Sequence, residues 1–278
     1  MGARPLALAK FKQMALRLKG VPVLLYHELS AAAEPRLAAG KDRYLVSADQ
    51  FRSHLELIRQ HSYRVISLQD LWDSAPDSRE AELSVVLTFD DGRASDYEVA
   101  YPFLLEKGFR AEFFVNTANI GRPGYLTWAQ VEEMHRSAMV FQSHSHDHIV
   151  LSLLPARDLR RQLEKSKQIL EDRLGSAVDF LAIPYGMSNQ RVVQVAHDVG
   201  YRAVCNSWPR PTRARRGVVN RVVVYGETKT RDLKHLLSNN PVAYGARATR
   251  AALVYLPKQV LLRLWPSQLG VSLLEAKT

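Results

Sequence analysis

Two short clusters hold most of the side chains able to do chemistry. Leu87-Thr88-Phe89-Asp90-Asp91-Gly92 ends an apolar run with adjacent carboxylates, and His144-Ser145-His146-Asp147-His148 follows further along. Neighbours on a strand point to opposite faces. Where the chain turns at Gly92, however, two consecutive carboxylates can converge on one ion, one ligating and the other free. His144 and His148 add two imidazoles, with His146 a competing ligand by spacing. Two imidazoles and a carboxylate suit zinc or another divalent transition metal, with open positions for water and substrate. Iron oxygenases use the same ligand set, so the ligands alone do not fix the reaction. A spare acid beside the ion suits hydrolysis of a bond that water attacks slowly. Taken alone, Asp-Asp-Gly is often a turn, and His-x-x-x-His is often surface decoration. It is their pairing, each behind an apolar strand, that points to a site.

Those strands belong to a regular alternation. Apolar runs at 21–26, 63–66, 84–89, 111–115, 139–142, 180–183, 203–205 and 218–224 read as strands. Ser47 caps a helix with Gln50 as its capping-box partner, and Thr127 with Gln130 repeats the pattern. Helices are also expected at 97–107, stopped by Gly108, at 156–174, stopped by Gly175, and at 190–199. About eight strands, most separated by helices, argue for α/β architecture with a parallel sheet that can close into a barrel. In such barrels chemistry collects at the C-terminal strand ends. His27, Asp90, Asp91, His144, His148 and Pro184-Tyr185 all fall at strand ends.

The 278 residues suffice for one barrel-sized domain or two small ones, and a hydrophobic fraction of 46% supports a sizeable core. The single cysteine, Cys205, excludes an intramolecular disulfide and fits a reducing compartment. Residues 1–20 form a basic amphipathic segment without the apolar core of a secretory signal, and no stretch is apolar enough to span a bilayer. The expected location is therefore cytoplasmic, with peripheral contact at the inner membrane face. The net charge of +10 is concentrated: six arginines and no acid lie between Tyr201 and Arg221, and no acid lies between Leu233 and Leu274. That favours an anionic partner, a membrane surface or a glycan, over nucleic acid, for which no motif or stacking platform is present. Residues 231–278 read as a basic amphipathic appendage broken by Pro257 and Pro266, leaving 21–230 as the catalytic domain.

Thr88-Phe89-Asp90-Asp91-Gly92, His144-Ser145-His146-Asp147-His148 and Phe180-Leu181-Ala182-Ile183-Pro184-Tyr185-Gly186 resemble the three leading motifs of the polysaccharide deacetylase family, carbohydrate esterase family 4. The resemblance covers roughly 20–225. It implies a distorted (β/α) barrel of seven or eight strands and metal-dependent removal of an N-acetyl group from a cell-surface polysaccharide or lipid-linked glycan precursor. The family pattern makes Asp90 the general base, and Asp91, His144 and His148 the ligands of a divalent ion, zinc first, with cobalt, nickel, manganese or iron as substitutes. The Tyr185 N–H, beside Pro184, would help hold the oxyanion. Two departures stand out. The arginine that usually opens the third motif is replaced by Ala182, for which Arg221 is the candidate substitute. The late histidine motif is not evident. Instead Pro22-Val23-Leu24-Leu25-Tyr26-His27 resembles the circularly permuted, exopolysaccharide-deacetylase branch and makes His27 the general-acid candidate. Trp208 is a candidate pocket wall. An O-acetyl esterase, a hydrolase of small amides or imides, and a non-catalytic glycan-binding protein are the alternatives.

Overall fold

The computed structural model describes residues 17–31, 43–74, 83–187, 189–213 and 217–264, with side chains as far as Leu253. β1 (Val23–Tyr26) leads into a short parallel pair, β2 (Glu28–Ser30) with β3 (Leu45–Ser47), and then helix α1 (Ala48–Gln60). β4 (Arg64–Val65), α2 (Leu68–Asp73) and β5 (Ser84–Asp91) follow. A π-helical turn at Asp96–Ala100 runs into α3 (Tyr101–Lys107), then β6 (Glu112–Val115), α4 (Trp128–Arg136) and β7 (Val140–Ser143). Next come α5 (Ala156–Leu174), β8 (Phe180–Ala182), α6 (Gln190–Asp198) and β9 (Ala203–Asn206). β10 (Val218–Asn220), β11 (Val222–Val223), α7 (Thr230–Leu237) and α8 (Pro241–Leu264) complete the order.

The main sheet runs β10-β9-β8-β7-β6-β5-β1-β11, with β4 added beside β5, and its pairings are parallel. β10 and β11 are separated by Arg221 alone, yet they lie at opposite ends of that path. One pairs with β9 and the other with β1, so the sheet returns on itself as the expected (β/α) barrel.

Alternation sorts the strand residues into two apolar sets. Val23, Val86, Phe114, Phe180, Ala182, Ala203, Cys205 and Val219 form a buried cluster inside the barrel. Their strand neighbours pack outward under the helices in a larger cluster. β5 is therefore buried from Ser84 through Asp90, as expected of a strand covered on both faces. In register across four strands, Tyr26, Phe89, Phe113 and Phe141 stack outside the barrel, with centroids 5.3, 4.8 and 5.5 Å apart. This ladder fixes the relative height of β1, β5, β6 and β7, and hence of the residues at their upper ends.

Local signals set several boundaries. Gly108 and Gly175 end α3 and α5 in left-handed conformation. Thr127 and Gln130 form the reciprocal capping box of α4. Four expectations are corrected. Ser47 caps α1, but the Gln50 side chain donates to the Thr228 carbonyl at 2.6 Å instead of closing a box, because a tertiary acceptor lies within reach. The strand expected at 218–224 divides at Arg221, where the sheet changes partner. The helix expected over 97–107 begins as the π-helical turn. α8 runs through Pro257 without a break.

Leu233, Leu236, Leu237 and Tyr244 are buried with the main core, so α7 and the start of α8 pack on the barrel. No helix among the described residues is long and apolar enough to cross a membrane. Residues 1–16, the arginines at 215 and 216, and Pro266 lie outside the described residues.

Candidate metal centre

The register of the barrel assembles the site at its C-terminal rim. Asp91 is level with Val115, and Val115 with Ser143, so His144 emerges one residue above them. The His144 N–H donates to the Val115 carbonyl at 2.9 Å. Ser143 pairs with Leu181, which brings the Ala182 carbonyl to 3.0 Å from His144 Nδ1. A carbonyl accepts only, so Nδ1 carries the proton and Nε2, on the side of Asp91, is left with the lone pair that can ligate a cation.

Asp91, His144 and His148 each offer one ligand atom, and these atoms lie within 4.8 Å of one another. Asp91 Oδ1 is 3.4 Å from His144 Nε2 and 3.2 Å from His148 Nε2. A carboxylate oxygen and two imidazole nitrogens facing a common point, one imidazole with its tautomer fixed, fit a divalent transition cation. His146 does not join them. Its Nδ1 is 2.7 Å from Thr117 Oγ1 and its Nε2 is 3.4 Å from Asp147, so it is His148 that faces Asp91 beside His144. Asp147 is held on α5 by Gln162 through two hydrogen bonds, of 3.0 and 2.5 Å.

Backbone strain collects at this rim. Asp91 (φ 80°), Ser145 (φ 64°), His148 (φ 54°) and Tyr185 (φ 59°) all adopt left-handed conformations that non-glycine residues seldom take. Such clustering marks positions over-determined by their surroundings. Gly92 continues the turn at φ 68°, and a Cβ there would come within 2.9 Å of the Val115 side chain.

Asp90 lies beside the triad, 3.9 Å from His144 Nε2. Arg221, fully buried at the β10–β11 seam, grips it as a fork: Nη1 donates to Oδ1 at 2.6 Å and Nη2 to Oδ2 at 2.7 Å. Arg221 Nε donates to the Asn206 carbonyl at 3.2 Å, and its Cζ lies 5.0 Å from the Phe114 ring centre. A charge buried this deeply is tolerable only when paired and hydrogen-bonded, and here both partners are. Burial alone would raise the Asp90 carboxyl, but Arg221 and then His144 outweigh it and hold it below the usual carboxylate range. Burial is likewise outweighed at Asp91, where His144 and His148 hold the carboxyl well below that range.

His27 is half-buried at the end of β1, and burial lowers its pKa against the pull of Asp91 and Asp90. Pro184 is buried and opens the 3-10 turn Pro184–Gly186 after β8, and the Tyr185 ring lies 4.9 Å from that of His148. Trp208 is 40% exposed beyond β9, its N–H donating to Asn206 Oδ1. Asp96, fully buried at the π-helical turn, has no hydrogen-bond partner for its carboxyl oxygens among the described residues. Burial, Asp91 and Asp90 push its pKa well above the usual range. Neither Asp96 nor the Ala182 carbonyl was singled out from sequence. A main-chain acceptor leaves no residue-type signal, and an acid after Asp-Asp-Gly looks like solvated loop.

The fold and site define a barrel protein with an Asp-His-His centre suited to a divalent cation. Residues 77–204 match the polysaccharide deacetylase family model, so that stretch of the chain is similar to this family. YxkH of Bacillus subtilis (strain 168) is 26% identical over 183 residues, covering 66% of this chain and 62% of the relative. The poly-β-1,6-N-acetyl-D-glucosamine N-deacetylase of Staphylococcus aureus (strain MRSA252) is 25% identical over 173 residues, covering 57% of this chain and 60% of the relative. The chain thus spans less than two thirds of the length of these curated relatives. Among solved structures, the Streptococcus pyogenes deacetylase PplD in complex with acetate superposes with a TM-score of 0.71 at 25% identity, covering 80% of this chain and 99% of that one.

Proposed function

We propose that the chain is a metal-dependent N-deacetylase, hydrolysing the acetamido C–N bond of an N-acetylated polysaccharide. The observation that carries this reading is the Asp91–His144–His148 cluster with Asp90 clamped beside it by Arg221. Asp91, His144 and His148 would hold the cation, with zinc the first choice for a mixed nitrogen and oxygen donor set. Bound there, such a cation polarises the acetyl carbonyl and acidifies water.

The chain's own groups supply the rest. Asp90, ionised and fixed in direction by the Arg221 fork, accepts a proton from the attacking water as its oxygen bonds to the acetyl carbon. The Tyr185 N–H, on the strained turn after β8, would donate to the oxygen that gains negative charge. The C–N bond then breaks, the nitrogen takes a proton, and acetate and a free amine leave. Arg221 fills the role of the arginine missing at Ala182: the guanidinium reaches the base from the β10–β11 seam, and the fork is unaffected by which strand carries it.

His27 is the general-acid candidate, and its place on the first strand supports the permuted arrangement of motifs. One feature favours a variation: burial lowers the His27 pKa, against the pull of Asp91 and Asp90, which weights the ring toward its neutral form. In that variation Asp90 passes the water's proton onward and His27 orients the leaving nitrogen. The acid-free stretch from Leu233 to Leu274 supports peripheral contact with an anionic surface.

The test is appearance of free amine and acetate from poly-β-1,6-N-acetylglucosamine and from O-acetylated glycans, with zinc and with chelator. The reading expects zinc-dependent release from N-acetyl substrates. Release from O-acetyl substrates alone would contradict it.

A further inference from the structure

Next to His27, two tyrosines and a guanidinium form a shelf that the hydrolytic reading leaves without a task. The Tyr44 ring lies 4.6 Å from the His27 ring and 5.5 Å from Tyr225. Arg43 Cζ sits 3.9 Å over the Tyr225 centroid and 5.9 Å from that of Tyr44. Tyr44 is 43% exposed, so part of its ring is open to a ligand approaching the rim.

The shelf is held in place by its loops. The Gly226 N–H donates to the Arg43 carbonyl at 2.9 Å, and a Cβ at Gly226 would lie 2.5 Å from the Leu45 carbonyl oxygen. That close approach laces the segment after β11 to the segment entering β3. Arg247 secures it from below, donating to the Val223 carbonyl at 2.7 Å and to Thr228 Oγ1 at 3.1 Å.

Its charge is unbalanced. Arg43, Arg247 and Arg250 all lie within 5.9 Å of the Tyr225 ring centre. Arg43 and Arg250 share one carboxylate, Glu227, at 3.8 and 3.1 Å. Nε and Nη2 of Arg43 are buried with no hydrogen-bond acceptor among the described residues, Nη2 lying 3.8 Å from Glu227 Oε1. The Arg43 side chain keeps 31% of its surface exposed; a partly exposed guanidinium is suited to take a carboxylate or phosphate, and an exposed tyrosine face is suited to the apolar face of a sugar ring.

We infer that Tyr44, Tyr225 and Arg43 form a specificity subsite for an anionic saccharide unit next to the N-acetylated one. The neighbouring ring lies on Tyr44, and its carboxylate or phosphate accepts from Arg43. The location beside the reacting unit rests on the proposed deacetylation. The test does not, because it reads binding.

Calorimetric titration of the zinc-loaded full chain compares neutral chitotetraose, a hyaluronan tetrasaccharide bearing glucuronate, and chitobiose 1-phosphate. The subsite predicts that at least one anionic probe binds roughly fivefold more tightly than the neutral one, the ratio a partly exposed ion pair supplies. Which one does so identifies the anion. Arg43→Gln should remove that preference while leaving chitotetraose affinity unchanged, and Arg43→Glu should reverse it. Tyr44→Ala should weaken all three probes. Equal affinities in the wild type, no binding of any probe, or a preference that survives Arg43→Gln would overturn the inference. Acetate release from the same samples reports on the hydrolytic reading alone: a preference that holds without acetate release retains the subsite and rejects the reaction.

Discussion

Glu112 offers a test of the barrel interior at the end away from the rim. It is the first residue of β6 and 1% exposed. Its Oε1 accepts the N–H of Leu68, the first residue of α2, at 2.8 Å, while its Oε2 has no hydrogen-bond partner among the described residues. Burial pushes the carboxyl from 4.5 to about 7. Because the folded value exceeds the unfolded one, the native state binds the extra proton between those two values. Stability is therefore lost as pH rises through that window. Raising the carboxyl that far corresponds to roughly 3 kcal/mol, almost all of it expressed by about pH 8. Glu112→Gln keeps an oxygen to accept from Leu68 and removes the ionisation. Urea unfolding at a series of pH values from about 4 to about 8 should show the variant gaining roughly 3 kcal/mol on the wild type, with activity at the rim unchanged. Stability profiles that stay parallel across the range would refute the burial argument.

Arg221→Ala should strand the Asp90 carboxylate in the barrel. It should cost roughly 3–5 kcal/mol of stability and lower turnover, with zinc content unchanged by elemental analysis, and unchanged turnover would refute the positioning role. His27→Gln should retain zinc and lose roughly a hundredfold or more in kcat; full activity in a zinc-loaded variant would remove it from the mechanism. Phe113→Ala takes one of the two inner rings from the ladder that sets strand height and should cost roughly 3–5 kcal/mol in denaturant unfolding.

What could be read from the chain was what the chain encodes locally. Asp90 and Asp91 before Gly92, and His144 with His148 after a short strand, sit close enough in sequence for type and spacing to announce them. Gly108, Gly175 and the Thr127–Gln130 box set helix ends through nearby backbone geometry. The strand alternation was sufficient for a barrel. Contacts made across the barrel were harder to read. Arg221 stands out as the substitute for the arginine missing at Ala182, but its route does not: it reaches Asp90 because the stretch 218–223 changes sheet partner at that residue, which a uniform β-rich run does not reveal. Gln50 looked like a capping residue because its acceptor, the Thr228 carbonyl, is remote in sequence. His146 and His148 were equivalent by spacing until Thr117 claimed the former. The Tyr44–Tyr225–Arg43 shelf joins two loops from opposite ends of the chain, and isolated tyrosines and arginines carry no signal of such an encounter.

The central claim is that one cation-binding triad and one separate acid divide the work at the rim. Zinc content and acetate release, measured together on Asp90→Asn and Asp91→Asn, test it most directly. The account predicts that Asp90→Asn keeps one zinc per chain and releases no acetate, while Asp91→Asn loses both. Acetate release at the wild-type rate by zinc-loaded Asp90→Asn, or full zinc retention by Asp91→Asn, would contradict it.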